Sequence, residues 1–181
     1  GKLDDDELEF WNRNAYMIQG DFAYQGGTAY YMPSEQKVYL DLSKLGPKES
    51  RLKLETNLVT FFHETGHMFD WQTFGYPSLR EQIGDLDKTL RADYTAYAKR
   101  LLEQKGLGEF HGLSRLTSDQ RMMLNMDLYD DMHMKSSISD IVGGLTKNTV
   151  QGGWGHSKEY WKYQKPSVEA KAHMFEAKFM K

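Results

Sequence analysis

His63, Glu64 and His67 follow one another as His-Glu-x-x-His, the residue types and spacing of a catalytic zinc site. On a helix, four residues turn the chain by about 400°, so the two imidazoles stand one above the other and can both reach a single ion. Glu64 then projects beside them, within reach of a water that the metal would activate, and can serve as general base.

A catalytic zinc takes three protein ligands and keeps a fourth position open. The chain contains no cysteine, so the third ligand must be His, Asp or Glu, and the candidates are Asp70, His156, Glu169, His173 and Glu176. Asp70 shares nearly the same helix face as His63 and His67. One helix does not easily wrap three ligands around a tetrahedral ion, so Asp70 suits a supporting position behind the ligands. His156 closes the glycine-rich run Gly152-Gly153-Trp154-Gly155-His156, which suits an electrophilic helper better than a fixed ligand. Glu169 stands in the first turn of a final helix opened by Pro166 and Ser167, with His173 four residues on, able to orient it. It is the expected third ligand; its plainer reading is a solvated acid that favours the helix dipole.

These residues need elements to hold them. Over 51–72, Leu54, Leu58, Phe61, Phe62, Thr65 and Phe69 form one stripe at helical spacing, with His63, Glu64 and His67 on the opposite side. Residues 4–19 read as an amphipathic helix with an acidic first turn. The stretches 27–31 and 37–42 read as strands joined by Met32-Pro33-Ser34-Glu35-Gln36, a hairpin whose one edge could border the cleft and pair with an extended peptide. A Gly46-Pro47 break leads into the metal helix, and 74–78 reads as a turn. Helix formers dominate 79–105 and 116–146, where the methionines are expected to fill a core. Trp154, Tyr160 and Trp161 suit either ordinary packing or the lining of a side-chain pocket.

The expected fold is α+β and predominantly helical: a small antiparallel sheet or hairpin beside an active-site helix, in one domain spanning 1–181. Gly1 in place of an initiator Met suggests an excised piece of a longer protein. With 27% charged and 39% hydrophobic residues, the composition is that of a globular chain. A net charge of -3 leaves no basic footprint for nucleic acid. The first residues, Gly1-Lys2-Leu3-Asp4-Asp5-Asp6, are acidic where a signal peptide would be basic and then apolar, and no run of about 18 apolar residues exists to span a membrane. Location and oligomeric state are open.

The pairing of His63-Glu64-Thr65-Gly66-His67 with the later Glu169-x-x-Ala172-His173-x-Phe175 resembles the glutamate-type zinc metallopeptidases, the gluzincins. Within them it is most similar to the anthrax lethal factor-like catalytic domain, which also has Gly before the second motif histidine. The resemblance implies a zincin-like fold, Zn2+ held by His63, His67 and Glu169, and Glu64 as general base. It also implies a tyrosine shortly before the third ligand that stabilises the transition state; Tyr163 is the nearest match and Tyr160 the reserve. That family carries an acid four residues after the ligand glutamate, where this chain has His173. The segment from Ser139-Asp140 to Tyr160-Trp161 also resembles metallopeptidase-like domains of phage or mobile-element minor head proteins. The function expected is zinc-dependent hydrolysis of a peptide or protein substrate, with Tyr163 or His156 assisting the metal at the oxyanion. The alternative is a non-catalytic structural or assembly module of a phage or mobile element.

Overall fold

The computed structural model describes residues 4–21, 29–45, 51–74, 84–129, 134–152 and 155–179. The chain is α+β and predominantly helical. It divides into two compact units, one of residues 1–78 with 172–181 and one of residues 79–171.

The first unit opens with α1 (Asp5–Asn14), whose start is fixed by a reciprocal cap. The Asp4 side chain accepts the Glu7 backbone N–H at 2.8 Å, and the Glu7 carboxylate accepts that of Asp4 at 3.2 Å. The helix expected over 4–19 is shorter than its apolar pattern suggests: a 3-10 turn, Ala15–Met17, leads into β1 (Ile18–Asp21). β2 (Ala29–Met32) and β3 (Lys37–Asp41) form the expected antiparallel hairpin, with Tyr31 opposite Val38 and Tyr30 opposite Tyr39. β1 then pairs parallel with β3, giving the order β1-β3-β2. Its sequence, Ile18-Gln19-Gly20-Asp21, carries little β propensity, and its partner lies about twenty residues away, so nothing local announces it.

α2 (Arg51–Phe74) lies against this sheet. Met68, fully buried, packs with Ala29, Val38 and Leu40, flanked by Phe61 and Phe69. The aromatic side of α2 meets α1 and the last helix, α6 (Ser167–Phe179): Trp11 stacks on Phe61, Phe10 packs on Phe69, and Phe62 stacks on Phe179. The apolar stripe read from the sequence thus sits in a core, and it fixes the rotation of α2 about its axis.

The second unit gathers α3 (Leu86–Gln104), α4 (Ser118–Tyr129) and α5 (Met134–Thr146) around Ala98, Leu102, Leu124, Leu128, Val142 and Val150. Thr117 and Gln120 form a capping box at the start of α4. The methionines of this region divide: Met123 packs against the core, whereas Met122 and Met126 are exposed, because α4 turns one flank outward. α6 is shared, its residues 167–171 belonging to the second unit and 172–179 to the first. Gly46-Pro47, the turn residues 75–78, Gly27-Thr28 and Trp154 lie outside the described residues.

Candidate metal centre

The rotation set by the aromatic packing turns His63 and His67 together on α2. Their Nε2 atoms stand 3.2 Å apart, with the rings edge to face. Two ring nitrogens at this distance need something positive between them, a proton or a cation. Nitrogens bound to one zinc at about 2.0–2.1 Å with a tetrahedral angle lie about 3.3 Å apart, so the pair has the span of two ligands on one ion. Glu64, on the same helix, accepts the backbone N–H of Tyr31 on β2 through Oε2 at 2.9 Å.

The opposite edge of the His63 ring faces a carboxylate. Oε2 of Glu176, on α6, lies 3.5 Å from His63 Nδ1 and 3.1 Å from His173 Nδ1. His63, His173 and Glu176 therefore form a close donor group within the first unit. The His63 atom that faces Glu176 is Nδ1, whereas the one that faces His67 is Nε2. A carboxylate that accepts from Nδ1 would hold the proton there and leave the Nε2 lone pair for a metal, although the hydrogen bond Glu176 makes at 3.1 Å is the one with His173. Glu176 is 2% exposed and so has little freedom to leave this position. His173, at the position where the resemblance expects an acid, thus shares the Glu176 carboxylate with His63.

Gly66 is what lets α6 come so near. A Cβ on Gly66 would lie 2.6 Å from Ala172 Cα and 3.0 Å from Phe175 Cβ, so only glycine fits between the two histidines of the motif.

The second unit organises the other expected residues. His156 is clamped by Asp140 at two points: its backbone N–H donates to Oδ1 at 2.7 Å, and its Nδ1 lies 2.6 Å from Oδ2. Gly155 makes the clamp possible, with φ +120° and no room for a Cβ, which would lie 2.6 Å from Asp140 Oδ1. The His156 ring stacks on Tyr160 at 3.8 Å between centroids, and the Tyr160 hydroxyl donates to Glu169 Oε1. Asp140, His156 and Glu169 thus form a second close donor group. Glu169 itself is 1% exposed, not the solvated helix-start acid of the plainer reading. Its helix is anchored from α3: Asp87 accepts both the backbone N–H of Ser167 at 3.0 Å and its hydroxyl at 2.8 Å.

His63 and His67 are brought together as their spacing implies. Glu169 is brought together with Tyr160, His156 and Asp140. Tyr163 is 79% exposed, so the tyrosine that reaches Glu169 is the reserve, Tyr160. Trp161 is buried, which is the packing reading of that residue, and Asp70 is buried on α2. Sequence reasoning did not find Asp140 as the partner of His156, Asp87 as the cap of α6, or the Tyr31 N–H as the partner of Glu64. All three pairings span from about sixteen to eighty residues, and no local pattern marks them. Comparison of the chain with protein-family models, curated proteins and solved structures finds no match.

Proposed function

We propose that this chain is a zinc-dependent endopeptidase of zincin-like fold, in which His63 and His67 hold the ion and Glu169 completes the ligand set. The observation that carries the reading is the His63–His67 pair, with Nε2 atoms 3.2 Å apart and a buried Glu176 carboxylate behind His63 Nδ1. Imidazole and carboxylate donors suit zinc, and the chain has no thiolate to offer instead. Bound there, zinc would act as a Lewis acid and lower the pKa of a water toward about 7.

The rest of the chemistry belongs to the protein. Glu64 takes a proton from the attacking water and returns it to the leaving amine. His156 is the donor to the oxyanion, of a kind worth roughly 3 kcal/mol. Asp140 holds the His156 ring by Nδ1, which leaves Nε2 as the atom that can donate when the ring is protonated. Tyr160 fixes Glu169 by a charge-assisted hydrogen bond. An extended peptide substrate would pair with the outer edge of β2, the last strand of the sheet, next to Glu64.

The test combines metal content with turnover on an unfolded protein substrate. One zinc per chain is expected, with Glu64→Gln retaining it and losing activity by roughly 10²- to 10⁴-fold. A chain that takes up no zinc, or a Glu64→Gln variant that cleaves at the parental rate, refutes the proposal.

A further inference from the structure

The sheet order β1-β3-β2 leaves β2 on the outside, and among the described residues no strand lies along its far edge. One backbone donor of that edge already has a partner, because the Tyr31 N–H donates to Glu64 Oε2 at 2.9 Å. A backbone amide has a single hydrogen to give. Tyr31 stands opposite Val38 in the antiparallel register, so this must be one of the ladder's non-hydrogen-bonded pairs, with its N–H directed outward. At that position Glu64 does what a neighbouring strand would do: it supplies an acceptor to an edge amide. A polypeptide laid along β2 would need the same hydrogen for one of its own carbonyls.

We propose that the Tyr31–Glu64 hydrogen bond is a latch, released when an extended polypeptide segment pairs with the outer edge of β2 and its carbonyl takes the Tyr31 N–H. The proposal rests on the peptidase reading, and it adds an order of events: main-chain pairing comes first and frees Oε2 of the base. Chains that cannot become extended leave the base engaged with its own edge strand. Because the competing groups are a backbone amide and a carbonyl, the release depends on substrate conformation and not on its side chains.

The probe is reduced, carboxymethylated α-lactalbumin, a permanently unfolded chain, added to the protein in excess chelator so that nothing is cut. Two quantities are followed in the parent, Glu64→Gln and Glu64→Ala: exchange of the Tyr31 amide proton by NMR, and probe affinity. Without probe, the Tyr31 amide is protected in the parent, and protection falls about tenfold in Glu64→Ala, which has no acceptor left. Probe restores protection in Glu64→Ala and binds it about five- to tenfold more tightly than it binds the parent, with Glu64→Gln between them, since the parent must first give up a charge-assisted hydrogen bond. The latch is overturned if Glu64→Ala binds the probe no better than the parent, if the Tyr31 amide is indifferent to residue 64 or to probe, or if no variant binds. The two readings fail separately. A protein with this exchange pattern that never cleaves with zinc refutes the peptidase alone, and one that cleaves while Tyr31 stays indifferent refutes the latch alone.

Discussion

Glu176 stands behind His63, its Oε2 3.5 Å from Nδ1 on the ring edge opposite the one that meets His67. If His63 is a metal ligand, this carboxylate sets its tautomer and raises its basicity, and removing it weakens the metal without touching a ligand. Glu176→Ala is expected to lower zinc affinity by about 10- to 100-fold. Glu176→Gln, whose amide oxygen can accept from Nδ1, should lose less. Competition against a chromophoric chelator reads both, and equal affinity in all three proteins would count against the orienting role.

Gly66 lies where α2 and the middle of α6 touch, and the nearest contact is with main chain. Gly66→Ala would bring a Cβ to 2.6 Å from Ala172 Cα, an atom that cannot rotate away, so one helix must shift. Overpacking of this kind is expected to destabilise by about 1–3 kcal/mol. The displaced helix carries Glu176, so zinc affinity should fall as well. Ala172→Gly should not rescue either effect, since the obstructing atom is Cα itself. A Gly66→Ala protein with parental urea midpoint and zinc affinity would refute this account of the motif glycine.

Tyr160 and Tyr163 separate cleanly in a kinetic experiment. The Tyr160 hydroxyl donates to Glu169, whereas Tyr163 is largely in solvent. If Glu169 is a metal ligand, Tyr160→Phe loses the bond that fixes it and should lower zinc affinity, and activity at limiting zinc with it, by about 10- to 100-fold. Tyr163→Phe should stay within about twofold. A reversed order would restore Tyr163 to the role implied by the gluzincin resemblance.

What could be read from the chain before its structure follows from how far apart the interacting residues are. His63 and His67 are one helical turn apart, and the phase of Phe61, Phe62 and Phe69 fixes which way they face, so local periodicity reveals both. The hairpin β2–β3 is equally local. β1 is not, because it is made a strand by its parallel partner and not by its own residues. Residues 75–138 carried no motif, yet Asp87 within them caps Ser167 eighty positions later and so holds the start of the helix that bears Glu169. Glu176 was visible only as a rival ligand, since the difference between binding a metal and orienting a histidine lies in which ring nitrogen it faces. Tyr160 and Tyr163 could not be ranked from spacing, because both lie in or beside a short 3-10 turn, Tyr160–Lys162, which sends neighbouring side chains in different directions.

The second unit carries a titration of its own. The Tyr97 hydroxyl, on α3, donates to Asp127 Oδ2, on α4, at 2.5 Å. Partial burial first, and then this bond and the Asp127 charge, push Tyr97 up to about 12. Burial, with Asp127 and Tyr97 adding to it, raises Tyr94 as well. An unfolded tyrosine titrates near 10, so in both cases folding favours the neutral hydroxyl. Stability from these groups is therefore fully present below about pH 10 and is lost as pH rises from there through the folded-state values. Urea midpoints should be flat from neutrality to about pH 9.5 and fall above it, while absorbance at 295 nm shows phenolate appearing late. Tyr97→Phe removes the Asp127 bond, so its midpoint should be lower at neutral pH and its alkaline decline shallower, the remainder belonging to Tyr94 and to Tyr31 and Tyr39, which are also raised. An alkaline decline as steep in Tyr97→Phe as in the parent would show that the Tyr97–Asp127 link is not what α3 and α4 lose.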